Sequence, residues 1–458
     1  MAVHRLWLAA CAGVLAGASP ATAQPVTAPN PHGAVGTLLP EGPAEPFFTP
    51  LGSNGRACAT CHRPESGMSL SLRDVQASFA ASGGTDPLFA AFDGADCPNA
   101  TGGDPAATHS LLLNRGVIRV PLPWPPHAPD GSALPVEFEL AITAADDPTG
   151  CNTDPDLGVA AGTVSVYRRP PSAAQMNFKT LRADGTGPTL PGSIMWDGRQ
   201  PTLEAQVVDA ARGHLQARRE LSAEQIARLV AVQTGTFTAQ QVDAAAGSLD
   251  AGGASGGPQG LALQIPLPAG GTTFTEFAGW RGLPGRRGSI ARGEALFNGR
   301  EFAARNVDGL NDMPGVGNPS RVTTCSTCHN IGASGADFLG EPHRNIGIGG
   351  TGTRVGGPPP AVDLPRFTLT CRKGVRPGFL GLGPIVTNDP GRALITGKCA
   401  DIGKFTVPQL RALAAREPYF HDGTAKSLDE VVEIYDRRFR LGLSPAERQD
   451  LVNFLAAL

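Results

Sequence analysis

Two copies of one short pattern constrain this chain more than anything else in it: Cys58-Ala59-Thr60-Cys61-His62 and Cys325-Ser326-Thr327-Cys328-His329. A Cys-x-x-Cys-His run is the attachment signature of c-type haem. The two thiols add across the vinyl groups, and the adjacent imidazole reaches the iron from the proximal side, a usual role for His. The pattern assigns Cys58, Cys61 and His62 to one covalently bound haem c, and Cys325, Cys328 and His329 to a second. One copy alone would also suit a zinc half-site or a redox dithiol. Zinc needs four ligands, and neither motif has a His-x-His or a second Cys pair nearby.

The N-terminus reads as an export signal over residues 1–23. Arg5 supplies the positive start, residues 6–17 are apolar, and Ala21-Thr22-Ala23 is a small-residue cleavage site, so the mature chain is expected to begin at Gln24. Leu8-Ala9-Ala10-Cys11 resembles a lipoprotein box, but the apolar run continues past Cys11. No later stretch is apolar and long enough to span a bilayer. The expected compartment is the periplasm, where disulfides persist. Of nine Cys, Cys11 leaves with the signal and four hold haem, which leaves Cys97, Cys151, Cys371 and Cys399. Pairing Cys97 with Cys151 and Cys371 with Cys399 keeps each pair on one side of a haem motif, although four Cys allow three connectivities. The net charge of −3 argues against a nucleic-acid partner.

Residues 24–46 are rich in Pro, Ala and Gly and read as an extended lead-in. A helix is expected over 72–79. Within 111–170, the runs 111–113, 117–120, 136–140 and 164–167 read as strands between Pro, Asp and Gly, so a small β-containing insertion is expected there. Further helices are expected over 201–219 and 222–232, the latter with Ser222 and Gln225 as a capping box. Residues 246–285 form a Gly-rich linker, and a second haem domain follows over 286–458. Ser427 with Glu430, and Ser444-Pro445 with Glu447, mark two late helix starts. The expected fold class is mainly α: a haem domain over 47–245 carrying the insertion, and another after the linker. The 59 Gly and 42 Pro imply many loops between short helices.

Several further motifs occur in a fixed order. Met195-Trp196-Asp197-Gly198-Arg199 is followed by Leu203-Glu204 and Gln206. Phe405-Thr406-Val407-Pro408-Gln409-Leu410-Arg411 precedes Pro418-Tyr419-Phe420-His421-Asp422-Gly423. With the paired haem motifs, this set resembles the bacterial di-haem cytochrome c peroxidase superfamily, which includes the MauG-type enzymes. The resemblance implies two cytochrome c-like domains, with a peroxidatic N-terminal haem and a C-terminal haem that stores or relays an electron. Trp196 matches the family's Trp between the haems.

The same resemblance carries residue roles. A distal Met lies fourteen residues after the signature His in classical members; that place is Tyr435 here, counted from His421. MauG-type proteins have Tyr there, and Tyr can ligate haem iron. Met313 is the nearest rival ligand. Reductively activated members carry a distal His sixteen residues past the first motif; here Ser78 stands there, so the first iron is expected to be open. Met68 sits too close to the attachment motif to reach the other haem face. The family's catalytic Glu, twenty residues after the Trp, is Gln216 here. His214 lies two residues earlier, and an imidazole can move a peroxide proton between oxygens. His214 is therefore the expected acid–base group, with Gln216 hydrogen-bonding bound oxygen. Arg411 and Arg199 are expected to meet haem propionates or carboxylates. His109, His127 and His343 have no motif behind them and read as structural. The family's inter-haem calcium uses two backbone carbonyls, at Arg416 and Pro418, and an Asn whose place is taken by Arg169. A fixed cation there weighs against calcium.

The resulting expectation is an oxidoreductase with two covalently bound haem c groups. It would use hydrogen peroxide, with His62, His329 and Tyr435 as iron ligands and His421 among the cofactor-binding residues. A small cytochrome c, a cupredoxin or an oxidisable substrate would donate electrons. Two alternatives remain: an electron-transfer cytochrome without catalysis, and an oxygenase acting on an organic substrate with dioxygen.

Overall fold

The computed structural model describes residues 25–40, 46–100, 103–128, 130–180, 194–264, 273–320, 322–332 and 342–458. The export segment 1–23 and Gln24 lie outside the described residues, as does part of the expected linker. Helix accounts for 35% and strand for 16%, so the fold is mixed helix and sheet rather than mainly α.

The helices follow their caps. Ser222 and Gln225 form the expected reciprocal box at the start of helix Ala223–Gly235. Ser427 accepts the Glu430 amide before helix Leu428–Phe439, and Ser444 pairs with Glu447 before helix Pro445–Ala457. Helix Pro445–Ala457 packs on helix Gly285–Gly299 at very close range. A Cβ on Gly293 would lie 2.0 Å from the Asp450 carbonyl oxygen, so only glycine fits. Phe274, Phe277, Trp280, Phe297 and Phe454 fill the core behind that crossing. The helix expected over 201–219 stops earlier, as Leu203–Gly213, with His214 as its C-terminal cap residue.

Two local expectations fail for tertiary reasons. Residues 24–46 are not merely extended: strands Val26–Asn30 and Gly33–Leu38 form a hairpin that pairs with strand Phe237–Asp243. The run 111–113 lies in helix Ser110–Arg115 rather than a strand. Asp96, distant in sequence, accepts the Ser110 and Leu111 amides and so supplies the cap.

The insertion is shared between the two halves of the chain. Strands Ile118–Pro123 and Thr163–Arg168 pair with each other. Strand Phe138–Ala141 pairs instead with strand Phe367–Cys371, which also pairs with Ile385–Thr387. Val120, Phe138, Val166, Phe367, Leu369 and Ile385 make one core from both halves. Disulfides Cys97–Cys151 and Cys371–Cys399 close loops in the pairing expected from sequence.

A buried charge cluster fastens this unit to the Trp196 segment. Arg168 donates to both oxygens of Asp389, at 2.7 and 3.0 Å, and also pairs with Asp197. All three side chains are almost fully buried. Charges at that depth are tolerated only when paired. Arg168→Met should strand Asp389, leave Asp197 with Arg199 alone, and cost about 3–5 kcal/mol. That loss would be read as a lower urea midpoint of the haem-loaded protein, and an unchanged midpoint would contradict the role given to the cluster.

Candidate functional site

Both Cys-x-x-Cys-His motifs adopt the same single turn. The His62 amide donates to the Cys58 carbonyl and the His329 amide to the Cys325 carbonyl, each at 3.0 Å. The Thr of each motif caps its own turn: Thr60 Oγ1 accepts the Ala57 amide at 3.1 Å, and Thr327 Oγ1 accepts the Thr324 amide at 2.9 Å. None of the four cysteines forms a disulfide. Burial pushes the Cys58 and Cys325 thiols up to about 12 and Cys61 to about 11, far from reactive thiolates. Among the described residues, no three His, Cys, Asp or Glu side chains converge as a metal-ligand set.

Each motif opens on its own large cavity. Cys58, Cys61 and His62 line the first; Cys325, Cys328 and His329 line the second. The His62 ring is oriented by a contact between Nδ1 and the Met68 carbonyl at 3.1 Å, which leaves Nε2 as the nitrogen for iron. Burial pushes the His62 imidazole down to about 4, so it is neutral at pH 7, the form that ligates metals. Met68 itself is fully buried, lies in a hydrophobic cluster and is not part of the cavity wall. Paired thiols and an imidazole on the wall of a large, chiefly apolar cavity fit a covalently held haem in both places.

In the first cavity His214 is on the wall, and its Nδ1 lies 2.7 Å from Asp93 Oδ2. Asp93 is fully buried and is also paired with Arg56, itself held by the Pro87 and Leu88 carbonyls at 2.7 Å each. Burial alone would raise the Asp93 carboxyl. The His214 hydrogen bond and the Arg56 charge outweigh it and hold the group below its ordinary range. The loop before the motif grips the same turn: Asn54 Nδ2 donates to the His214 carbonyl at 2.8 Å, and Ser53 Oγ to the Gln216 carbonyl at 3.2 Å. Gln216 adopts φ 51° and is not part of the cavity wall. Ser78 likewise stays off the wall and accepts a hydrogen bond from Arg63. Asp93 and Arg56 carry no sequence signal, because His214 lies far from both along the chain.

In the second cavity Tyr435 is on the wall and Met313 is not. The Tyr435 ring lies near Phe420, at 6.4 Å between centroids, and Phe439, at 5.8 Å. Its hydroxyl has no hydrogen-bond partner among the described residues, whereas the Tyr419 hydroxyl donates to the Leu413 carbonyl at 3.0 Å. Burial raises the Tyr435 phenol, so ionisation there needs a compensating cation such as a ferric iron. Arg411 and His421, expected among the cofactor-binding residues, make contacts within the protein. Arg411 pairs with Glu276 over the Phe274 ring. His421 stacks on Phe405 at 4.0 Å, beside Asp389 at 3.6 Å. Neither Arg411 nor His421 lines either of these two cavities. Arg199 lines the first cavity while pairing with Asp197 and Asp209.

The two cavities share one wall, to which Arg169, Pro170, Trp196, Thr406, Pro408, Gln409 and Arg416 all contribute. Trp196 Nε1 donates to the Arg169 carbonyl at 2.8 Å. The Arg169 guanidinium donates to the carbonyls of Leu70 at 2.5 Å, Arg416 at 2.8 Å and Arg115 at 3.1 Å. It makes no ion pair with a carboxylate among the described residues. Burial, helped by neighbouring Arg416, pushes it down to about 9, still protonated at neutral pH. These residues do not fit calcium, because a cationic side chain already takes the carbonyl oxygens a hard cation would need.

No family model matches the chain. It is 32% identical over 168 residues to the cytochrome-c peroxidase IdrP2 of Denitromonas iodatirespirans, covering 35% of this chain and 41% of that protein. It is 38% identical over 78 residues to the cytochrome c551 peroxidase of Nitrosomonas europaea, covering 16% of this chain and 23% of that one. The chain thus spans about two-fifths or less of the length of these curated relatives. A solved MauG-like protein associated with microbial copper homeostasis aligns with 65% of this chain and 77% of its own, at 18% identity and a TM-score of 0.33, too low to carry an argument. With its two attachment motifs on two cavities, the chain is similar over part of its length to these cytochrome-c peroxidases.

Proposed function

We propose that the chain is a periplasmic di-haem c oxidoreductase that reduces hydrogen peroxide in its first cavity and draws electrons through the second. The observation that carries this reading is the Asp93–His214 pair on the wall of the first cavity, across a shared Trp196 from the second. Haem c, when bound at each motif, supplies the iron redox chemistry by which peroxide takes up two electrons and two protons to give two waters.

The chain's own residues handle the proton and the path. Asp93 accepts from Nδ1 of His214 and so fixes the tautomer, leaving Nε2 to take a proton from one peroxide oxygen and return it to the other. Arg56 keeps Asp93 ionised while it does so. Gln216 lies off the wall, so the proton work falls to His214 alone. Trp196 stands between the cavities as an aromatic stepping stone for an electron. Tyr435 would be the distal iron ligand in the second cavity, an anionic oxygen that favours the oxidised metal. The donor is a small periplasmic cytochrome c or cupredoxin, or an oxidisable substrate molecule. No described helix is long and apolar enough to cross a membrane.

His214→Ala should lower the peroxide turnover number about 10²–10⁴-fold, while Gln216→Asn, which tolerates the same backbone conformation, should stay near wild type. Stopped-flow peroxide consumption separates them, and equal losses would remove His214 from its role. The Asp93 carboxyl is depressed in the folded state, so its stabilisation is present above its ordinary value of 3.8 and disappears as pH falls through the folded value. Asp93→Asn should therefore be less stable than wild type at pH 6 and converge on it as pH falls through the folded value of the Asp93 carboxyl. Parallel melting curves across that range would contradict the pairing.

A further inference from the structure

We infer that Arg169 is a built-in cation that holds the wall between the two cavities in place of an exchangeable metal ion. Three backbone carbonyls from three separate segments, at Leu70, Arg115 and Arg416, converge on one guanidinium. Converging carbonyl oxygens without a carboxylate make a cage for a hard cation. Here the cation is covalently part of the chain, always charged at neutral pH and matched to several acceptors at once.

The cage is shaped for the side chain. A Cβ on Gly116 would lie 2.4 Å from an Arg169 guanidinium nitrogen and 3.9 Å from the Pro418 ring. Gly116, at φ 62°, is therefore the residue whose missing side chain makes room for the guanidinium. The peptide of the same Arg169 accepts the Trp196 indole N–H, so one residue both crosslinks the three segments and fixes the aromatic between the cavities. Arg169 touches no reacting atom on this account and is a positioning residue.

Such a device changes what the protein needs from its medium. A metal-held wall loosens under chelation, whereas a guanidinium-held wall does not. The inference stands independently of the peroxidase reading, because its tests read metal content and melting rather than turnover. The haem-loaded full-length protein would be dialysed against EDTA, and its metals measured by plasma emission. The expected result is iron without calcium, and a melting midpoint that neither EDTA nor millimolar calcium chloride moves. Calcium retained stoichiometrically, or a midpoint that falls in EDTA, would overturn the inference whatever any variant does.

Arg169→Asn supplies an oxygen ligand and vacates the cage. Its midpoint should lie below wild type and rise saturably with calcium chloride by a few degrees, of the order expected for a bound ligand at well above its Kd. Arg169→Lys keeps a cation and should ignore calcium. An Arg169→Asn protein that folds and shows no response to calcium would also overturn the inference. If that variant is recovered only from calcium-containing medium, the guanidinium's role as the resident cation is supported.

Discussion

The rest of the site depends on one hydrogen bond between neighbours in a wall: the Trp196 indole N–H to the Arg169 carbonyl, at 2.8 Å. That contact places an aromatic ring where both cavities can reach it. It is braced on two sides. Arg168, the preceding residue, is locked by Asp389 and Asp197, and Asp197 follows Trp196 directly. Arg169 is locked by three carbonyls. Two successive arginines thus bind the edge of the β-bearing insertion to the Trp196 segment and to the C-terminal half. A buried charge is costly when alone and informative when paired, because its partners must arrive from the right direction.

The two cavities are built alike at the attachment turn and unlike elsewhere. The first carries a polar feature on its wall, an imidazole steered by a buried carboxylate that is itself neutralised by Arg56. The second is lined in large part by Phe, Leu, Ile and Val side chains, with the Tyr435 phenol set among them without a hydrogen-bond partner among the described residues. A proton-handling group suits a cavity where small-molecule chemistry occurs. A phenol poised to meet iron suits one where a metal is held closed. The asymmetry motivates a division of labour between the haems that identical motifs alone would not suggest.

Much of this was legible in the sequence because the chemistry is local. A Cys-x-x-Cys-His turn, a Ser-x-x-Glu cap and the Trp196 and His421 segments are short patterns with one physical reading each. The disulfide pairing also matched the expectation from position along the chain. What stayed hidden involves long separations. Strand Gly33–Leu38 finds its partner at Phe237–Asp243, and strand Phe138–Ala141 finds its own at Phe367–Cys371. Helix Ser110–Arg115 forms because Asp96 caps it, which no window around 111–113 reveals. Asp93 is invisible for the same reason: nothing near it in sequence marks it as the partner of His214. His421 and Arg411 show the opposite case. Their motifs are clear, but the structure spends them on packing against Phe405 and pairing with Glu276.

The central claim is that His214, on the wall of the first cavity, would serve a haem whose iron can take a small ligand, while Tyr435 would supply an iron ligand in the second. The EPR spectrum of the ferric, haem-loaded protein as isolated tests it most directly. One high-spin and one low-spin signal are predicted. Two low-spin signals would mean that protein ligands occupy both faces of both irons, and would contradict the account in favour of an electron carrier or an enzyme that must first be reduced.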